Sequence, residues 1–404
     1  MRRDRQGGSR RLRLVAMAAA VLATLAAACS GPILANPPIV AVVPPTASPA
    51  PSRPSDPQPI VFPRDDGPHD RLTEWWYYTG HLADDAGGHW GFEFVVFRAE
   101  RGGFPVTWAS HVALTDETGG TFAYAQRGAI GPQVDQSVVT GQPFTFYLPD
   151  PSAPTYPGPT AQASLAIGSI LPPTWTMTGD SGDAALSAAL DGGMSGFQLR
   201  ATVATGVPPV LHDGDGWIDL GPAGGSYYYS RPTLSVAGTV FVAGHQRHAT
   251  GQAWFDHQWG DFISVGGGGW DWFAVNLADG TDLTISLVRG ADGKDALVYG
   301  TLVDADGRAT NLERGAFTVT ADPAQQWTSP ATKATYPAGW TIDIPGKGLV
   351  IRLRPTLADQ ELDTRATTGV VYWEGSQVVS ASRYGIPVDG KAYVELTGYG
   401  PTAP

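Results

Sequence analysis

Short stretches of alternating hydrophobic and polar residues recur through the chain from about residue 61 onwards. Examples are GFEFVVFRAE (91–100), VAGTVFVAG (236–244) and TDLTISLVRG (281–290), which are rich in β-branched and aromatic side chains. Alternation with a period of two is typical of β-strands, and the Gly, Asp and Pro residues between such stretches favour turns. DAALSAALDGG (183–193) is compatible with a short helix or with a strand and a turn. The pattern therefore predicts an all-β body.

A weak internal sequence repeat, which we call the internal echo, divides this body into two halves. Five residues of the first half have counterparts 195 positions later: Trp75, Tyr77, Leu82, Ala83 and Asp84 correspond to Trp270, Trp272, Leu277, Ala278 and Asp279. In both places a Trp-led strand precedes a turn that contains Asp. Similar segments at a fixed spacing indicate repeated structural units. We therefore expect two β-barrels in tandem, at residues 61–233 and 234–404.

The N-terminal residues have the pattern of a signal peptide. Six arginines precede an apolar run from Leu14 to Ala28, which is too short to span a membrane comfortably. Cys29, the only cysteine, follows Leu25–Ala28 in a sequence similar to a bacterial lipobox, so one interpretation is lipidation at Cys29. The alternative is a chance cysteine in an alanine-rich leader. We expect residues 1–28 to direct export, by the general or the twin-arginine route.

Residues 29–60 form a candidate linker. Ten prolines lie between residues 31 and 60, separated mainly by small or polar residues. This composition cannot bury a core and favours an extended, semi-rigid spacer. With a lipid on Cys29, such a spacer would hold the folded body away from a membrane surface.

The chain is acidic. Its formal net charge is −12, and removal of the arginine-rich leader leaves about −17. An acidic protein is repelled by nucleic acid and by anionic lipid headgroups, so we expect neither as a partner of the folded body. Charged residues make up only 16% of the chain and aromatic residues 10%, a balance that favours a β protein with an apolar interior.

The segment TEWWYYTGH (73–81) is the first candidate for chemistry. On a strand, Glu74, Trp76 and Tyr78 share one face, and both faces are aromatic. A carboxylate covered by aromatic rings is costly unless it has a partner. Glu74 therefore either caps a buried arginine or backbone amides, or is an acid with a raised pKa in an apolar pocket.

His111 is the second candidate. On a strand it shares a face with Thr107, Ala109 and Ala113, which are all small. Small neighbours leave room for a cavity, in which His111 would contact a substrate. The alternative is a buried histidine whose ring is bonded to a backbone carbonyl.

The segment AWFDHQWGDF (253–262), followed by GGGGWDW (266–272), is the third candidate. Asp256 and His257 fall on opposite faces of a straight strand. His257 with Trp259 and Trp272 would form a polar group inside an aromatic box, and indole faces stabilise cations. The alternative is a structural corner with no ligand.

Motifs for other chemistry are missing from the sequence. The chain has no Gly-x-Ser-x-Gly, no His-Glu-x-x-His, no phosphate-binding loop and no dinucleotide fingerprint. We therefore expect no metal and no cofactor.

Several segments together resemble the AttH-like, carotenoid 1,2-hydratase (CrtC-type) family, and in particular its secreted members. They are EWWYYTGHL, SHVALTD, PPVLHDGDG, YYYSRPTLSVAGTV, GQAWFDHQWGD and WDWFAVNLADG. The resemblance implies two lipocalin-like (calycin) barrels packed together and cofactor-free chemistry on an isoprenoid double bond. It implicates a histidine and a tryptophan of an Asp-His-x-Trp motif, which match His257 and Trp259. The family's further tyrosine and aspartate have no secure match, although Asp271 and Trp272 lie in that region.

The leading hypothesis is an exported protein that binds an apolar isoprenoid or lipid, or transforms it by hydro-lyase chemistry. Its candidate catalytic residues are His257, Asp256 and Glu74, and its candidate substrate-binding residues are Trp259, Trp272, Trp76, Tyr78, His111 and Asp271. An acid protonates the alkene, aromatic faces stabilise the carbocation and water captures it. The alternatives are a non-catalytic lipid carrier and, with less support, a secreted hydrolase.

Substitution His257→Ala distinguishes an enzyme from a carrier. An enzyme should lose turnover and keep ligand binding, whereas a carrier should keep binding and have no turnover to lose. The measurements are turnover by the parent and ligand binding by the parent and the variant, with ligands identified by mass spectrometry of lipids that co-purify with the mature protein. The enzyme hypothesis also requires the Glu74 and His257 side chains to lie within about 10 Å of each other around a shared cavity.

Overall fold

The computed structural model describes residues 55–150, 171, 174–262 and 267–400, and they form an almost entirely β structure. From Pro57 onwards these residues belong to one compact unit. The predicted all-β class is confirmed, because two curled antiparallel sheets form two nearly closed barrels. The predicted signal peptide, Cys29 and most of the predicted linker lie outside the described residues.

The first barrel contains twelve strands of the described chain. They are β1 (Thr73–Asp84), β2 (His89–Ala99), β3 (Thr107–Asp116), β4 (Thr121–Ile130), β5 (Phe144–Leu148), β6 (Trp175–Asp180), β7 (Asp183–Leu190), β8 (Ser195–Val203), β9 (Val210–Leu211), β10 (Trp217–Asp219), β11 (Gly225–Val242) and β12 (His245–Gly260). Their order is β4-β3-β2-β1-β12-β11-β8-β7-β6-β5, with β9 and β10 paired to β11.

The second barrel follows in the chain. Its region contains β13 (Gly267–Leu277), β14 (Asp282–Gly290), β15 (Asp295–Val303), β16 (Ala309–Leu312), β17 (Thr318–Ala321), β18 (Gln326–Thr328), β19 (Thr335–Pro337), β20 (Trp340–Ile344), β21 (Leu349–Pro355), β22 (Glu361–Asp363), β23 (Val371–Arg383), β24 (Ile386–Val388) and β25 (Gly390–Thr397). The order is β16-β15-β14-β13-β25-β23-β21-β20-β17; β22 and β24 pair with β23, and β18 and β19 form a separate hairpin.

Helical structure in the described chain is confined to short connections. One α-helix, α1, spans Ser137–Thr140, and single-turn 3₁₀-helices span Arg64–Asp66, Pro132–Val134, Asp191–Gly193, His212–Gly214, Gly221–Ala223 and Pro345–Lys347. None of these helices is long and apolar enough to cross a membrane. The stretch 183–193 forms β7 and a 3₁₀ turn, so the strand-and-turn alternative is the one observed.

The chain changes from the first sheet to the second later than the sequence indicated. The division expected at 233/234 lies inside β11, and both β11 and β12 belong to the first sheet. The change occurs between Gly260 and Gly267. The sequence SRP around Pro232 has the composition of a strand end, but the structure has a bulge there, with a register shift between Arg231 and Leu234. A bulge accepts a proline without ending the strand.

Each barrel has its own apolar interior, and a third core joins the barrels. The first interior includes Trp76, Phe92 and Phe197, and the second includes Phe273, Trp340 and Trp373. Between the barrels, Tyr77, Val95 and Trp254 of the first pack on Trp272, Ala274 and Tyr393 of the second. The expectation of two barrels packed together is therefore confirmed.

Residues of the internal echo lie at this contact between the barrels. Tyr77 on β1 and Trp272 on β13 occupy equivalent positions of the repeat, and their rings meet edge to face with centroids 5.3 Å apart. The two repeats therefore pack with equivalent strands against each other.

A substitution at Gly251 tests the pairing of β1 with β12, which joins the two halves of the first sheet. A Cβ at Gly251 would lie 1.9 Å from the carbonyl oxygen of His81 on the paired strand. Because that atom belongs to the backbone, Gly251→Ala must separate the strands, and we expect a loss of about 1–3 kcal/mol or more of unfolding free energy. Urea unfolding measures it. Gly103→Ala is the control, because a Cβ at Gly103 meets nothing within 4 Å; equal stability of the two variants would contradict the prediction.

Candidate functional sites

The strand β12 presents its side chains alternately to the two sides of the first sheet. His257 and Trp259 face the barrel interior, beside Trp76 and Glu74 on the paired strand. Asp256 faces the second barrel, beside Tyr77. The sequence prediction that Asp256 and His257 lie on opposite faces is therefore confirmed, and the candidate residues form two separate clusters rather than one.

The first cluster lies inside the first barrel and consists of His69, Glu74 and His257; we call it the inner cluster. Nε2 of His257 is 2.9 Å from Oε1 of Glu74, well within the distance that the enzyme hypothesis requires. Nδ1 of His69 is 2.7 Å from the same oxygen. The backbone N–H of His69 donates to Oε2 of Glu74 at 2.9 Å. Glu74 and His257 are completely buried, whereas the His69 side chain is 19% exposed.

Aromatic rings enclose the inner cluster. Trp76 stacks on His257 with ring centroids 4.6 Å apart, and Trp259 stacks on His69 at 4.1 Å. Tyr78 lies further into the barrel, where it stacks on Phe255. These residues therefore pack against each other, and among the described residues of the inner cluster the partly exposed member is His69.

The charges of the inner cluster differ from the expectation for Glu74. Burial favours a raised pKa for Glu74, but hydrogen bonds from His257 and His69 outweigh it, and the pKa of Glu74 is lowered. Burial lowers the pKa of His257. For His69, burial is outweighed by hydrogen bonds to Asp65 and Glu74, so its pKa is raised. The predicted acid with a raised pKa is therefore not Glu74. Its carboxylate bonds a backbone amide, which agrees with the alternative interpretation.

The second cluster surrounds Asp256, between the barrels. Asp256 accepts hydrogen bonds from the hydroxyl of Tyr228 at 2.6 Å, from Nε1 of Trp254 at 2.7 Å and from Ser230. Trp272 of the second barrel donates from Nε1 to the Tyr228 hydroxyl at 3.2 Å. Burial raises the pKa of Asp256 to about 6, although the three donors oppose the shift. Asp256 and Trp272 are thus brought together, but His257 and Glu74 lie on the other side of the sheet.

Two buried glutamates and a half-buried one beside this cluster were missed in the sequence analysis; we call Glu93, Glu374 and the half-buried Glu395 the acid cluster. The Tyr77 hydroxyl donates to Oε1 of Glu374 at 2.6 Å, across the contact between the barrels. In the opposite sense, the Tyr372 hydroxyl of the second barrel donates to Oε1 of Glu93 at 2.9 Å. Glu374 and Glu395 are direct neighbours on β23 and β25.

Burial favours the neutral form of the carboxyl groups in the acid cluster. Burial raises the pKa of Glu93 to about 8 and that of Glu395 to about 7. Burial, together with the charges of Glu93 and Glu395, raises the pKa of Glu374 well above its ordinary value. Oε2 of Glu93 and Oε2 of Glu374 have no hydrogen-bond partner among the described residues. The sequence pattern that could have identified these glutamates is a carboxylate between apolar neighbours, as in Phe92-Glu93-Phe94.

His111 and Asp271 occupy different surroundings from those expected. His111 is buried, with Nδ1 2.8 Å from the Tyr372 hydroxyl and Nε2 3.0 Å from Oγ1 of Thr367. It therefore contacts second-barrel side chains, rather than a cavity or a backbone carbonyl. Asp271 bonds Arg289, and the Tyr399 hydroxyl donates to it at 3.1 Å. Because side chains alternate along β13, Asp271 points away from its neighbour Trp272.

The indoles of the two halves do not surround one common hollow. Trp76 and Trp259 belong to the interior of the first barrel, whereas Trp254 and Trp272 meet between the barrels with centroids 6.1 Å apart. Two surface hollows, of about 390 and 370 Å³, are lined by residues outside both clusters, including Pro208 and Asn311 in one and Asp322 and Arg352 in the other.

The tandem barrels and these clusters define a double-barrel protein of the lipocalin-like type. The sequence profile of the AttH-like family matches residues 53–399, and the chain belongs to that family. A crystal structure of an AttH protein from Nitrosomonas europaea is 28% identical, with a TM-score of 0.69, covering 87% of this chain and all of the other. Kievitone hydratase from Nectria haematococca is 15% identical, with a TM-score of 0.60, covering 84% of this chain and 93% of the other, and has the same fold. No curated protein sequence matches this chain.

The acid cluster contributes to the unfolding free energy in a way that depends on pH. The folded protein keeps protons on Glu93 (pKa about 8) and Glu395 (pKa about 7), which the unfolded chain releases near the ordinary pKa of 4.5. At these two groups the folded state therefore binds more protons than the unfolded chain, and their contribution to the unfolding free energy decreases between about pH 4.5 and pH 8.

Glu93→Gln isolates this contribution, because glutamine stays neutral at every pH. The variant should lose less unfolding free energy than the parent between pH 5 and pH 8, by roughly 1 kcal/mol or more. Urea unfolding at a series of pH values measures the difference, and Glu313→Gln, at an exposed position, is the control. An unchanged pH slope in Glu93→Gln would show that Glu93 is ionised in the folded protein.

Proposed function

We propose that this protein is an exported hydro-lyase that adds water to, or removes it from, an apolar isoprenoid or lipid at the contact between its two barrels. The observation that carries the proposal is the acid cluster beside the inter-barrel indoles. Alkene protonation needs a carboxylic acid that keeps its proton near neutral pH, and Glu93 has a pKa of about 8.

The geometry of the acid cluster suits proton donation. Each of Glu93 and Glu374 uses one oxygen to accept a tyrosine hydrogen bond, and the second oxygen has no partner among the described residues. A carboxylic acid in this arrangement can direct its O–H towards a substrate while the tyrosine fixes its orientation. Transfer of that proton to an alkene carbon leaves a carbocation and a carboxylate.

Aromatic rings are available to stabilise the carbocation. Tyr77 and Trp254 lie on one side of the contact and Trp272 on the other, with ring-centroid distances to Trp272 of 5.3 and 6.1 Å. Each indole face contributes about 0.5–2 kcal/mol of attraction for a cation. Water then adds to the carbocation, and the proton that it releases returns to the glutamate carboxylate. The reaction therefore balances without an oxidant, a reductant or an activated donor.

Access requires movement, because Tyr77, Trp254 and Trp272 are at most 6% exposed. A substrate enters this contact only if one barrel moves relative to the other, which breaks the Tyr77–Glu374 and Tyr372–Glu93 hydrogen bonds. An apolar substrate would replace the apolar contacts that are lost. In this proposal His257 and Glu74 take no direct part, since they face the opposite side of β12.

The location of the enzyme at the cell envelope is part of the proposal. The signal-peptide pattern, Cys29 and the Pro-rich linker support export and a lipid anchor at the cell envelope. A membrane anchor would bring the protein to the phase in which isoprenoids and lipids dissolve. The fold shared with kievitone hydratase supports the choice of hydro-lyase chemistry.

A non-catalytic lipid carrier is the second candidate. The reciprocal Tyr77–Glu374 and Tyr372–Glu93 hydrogen bonds agree with this alternative, because they would hold the two barrels together without any catalytic role for the glutamates. A secreted hydrolase has less support. Ser230 Oγ is 2.7 Å from Nε2 of His212, but Thr301 rather than a carboxylate contacts the other ring nitrogen. The burial that lowers the pKa of His212 to about 3 also makes it a poor base.

The test is hydration of a polyene in heavy water. We expect the mature protein to convert detergent-dispersed lycopene to a hydroxylated product that carries one carbon-bound deuterium, detected by mass spectrometry. Glu374→Gln and Glu93→Gln should lower turnover by about 10²–10⁴-fold, since the acid is removed. Both should still bind lycopene, as measured by quenching of tryptophan fluorescence.

Glu313→Gln is the matched control for these variants, because Glu313 is exposed and outside the contact. Full turnover in both acid-cluster variants would refute the assignment of the acid. Binding of lycopene by the parent protein without any deuterated product would favour the carrier.

A further inference from the structure

The inner cluster remains without a role in the proposed function. Nδ1 of His69, Oε1 of Glu74 and Nε2 of His257 point at one another, and the three atoms all lie within 4.8 Å of each other. They come from the segment before β1, from β1 and from β12, so the pairing of β1 with β12 brings them together.

A count of protons around His257 leaves one position unfilled. The Tyr229 hydroxyl has a single proton, and it donates that proton to Oδ1 of Asp66 at 2.5 Å. At 3.4 Å from Nδ1 of His257, the Tyr229 oxygen therefore presents a lone pair. A neutral imidazole carries one hydrogen, so His257 can donate either to the Tyr229 oxygen or to Glu74 at 2.9 Å, but not to both. A metal ion bound at Nε2 would leave the hydrogen on Nδ1 and serve both contacts.

His69 lies beside the same carboxylate as His257. Its two ring nitrogens face Glu74 at 2.7 Å and Asp65 at 3.5 Å. The ring centroids of His69 and His257 are 5.6 Å apart. A divalent metal ion between them would bind one nitrogen of each ring.

The groups around the inner cluster match the surroundings of a metal site. Histidines that bind a metal usually donate from their other nitrogen to a carboxylate, directly or through a bridging group. His69 has Asp65 in this position, and His257 has Tyr229, which donates to Asp66. The remaining oxygen of Glu74 is held by the backbone N–H of His69.

We propose that His69, Glu74 and His257 bind one divalent transition-metal ion, for which zinc is the probe. Two imidazoles and one carboxylate, with a further coordination position left for water, form a ligand set that such ions accept. Zinc bonds of about 2.0–2.1 Å place tetrahedral ligand atoms about 3.3 Å apart, so the observed separations of 2.7 and 2.9 Å must widen by roughly half an ångström. His69 lies outside the strands and is partly exposed, which provides both this movement and an entry route.

This site goes beyond the proposed function and does not rest on it, because it lies on the other face of the sheet. It also differs from the sequence expectation of no metal. Positions 69, 74 and 257 have no spacing that a motif would detect, since the third ligand comes from β12, which pairs with β1 but lies far from it in the chain. A metal here would act as a Lewis acid towards a bound water, or would fasten β1 to β12.

The experiment measures metal binding without any substrate. Mature protein is stripped with EDTA, dialysed against Zn²⁺ and analysed by inductively coupled plasma mass spectrometry, and Co²⁺ is added separately to record its visible spectrum. We expect one Zn²⁺ per chain and the intense bands of four-coordinate Co²⁺. His69→Asn and His257→Asn should each weaken Zn²⁺ binding by more than about 100-fold, and Asp65→Asn by about 10–100-fold.

His248→Asn is the control, since His248 is exposed on the same strand as His257 and should bind Zn²⁺ like the parent. If His257→Asn fails to fold, His69→Asn still decides the question, because His69 is partly exposed. Fewer than about 0.1 Zn²⁺ per parent chain, or undiminished binding by a folded His69→Asn, would refute the site. Lycopene turnover by metal-free protein is measured separately, so failure of the metal site and failure of the proposed function give different results.

Discussion

The pairing of β1 with β12 is the interaction on which the rest of this structure depends. The two strands are in register from Thr73 opposite Gly260 to Asp84 opposite Ala249. They join segments that are far apart in the chain, and they hold the two halves of the first sheet together. Because side chains alternate along both strands, the same pairing directs Glu74 and His257 inward and Tyr77 and Asp256 outward to the second barrel. A shift of one residue would exchange these faces.

The two faces of the first sheet stabilise their buried ionisable groups in different ways. Inside the barrel, Glu74 is surrounded by donors from His69 and His257, so its negative charge is compensated. Between the barrels, Glu93 and Glu374 receive only tyrosine hydrogen bonds and have no ion pair among the described residues. Burial then favours the protonated form, because an uncompensated charge in an apolar contact is expensive. One protein thus contains a charged site and a neutral acid site, separated by a single sheet.

The candidate residues show where sequence reasoning succeeds. Alternation along AWFDHQWGDF correctly separated Asp256 from His257, and the aromatic segment around Glu74 correctly suggested that both of its faces are covered. The same reasoning did not find His69, whose ring is aligned by contacts with Trp259 and Glu74. It also passed over Glu374 and Glu395, since an isolated glutamate in a strand resembles a residue of a solvated face. Their burial is evident only once a second sheet covers them.

The sequence by itself determined the local structure and the family. Its period-two pattern specifies strands, its turn residues end them, and its motifs identify the AttH-like family. The tertiary structure alone decided which strands are neighbours, where the first sheet ends and which carboxyls lose contact with water. Those properties depend on contacts between residues up to about 300 positions apart, as between Tyr77 and Glu374. A pKa or a metal-binding geometry depends on such neighbours, and a linear pattern does not contain them.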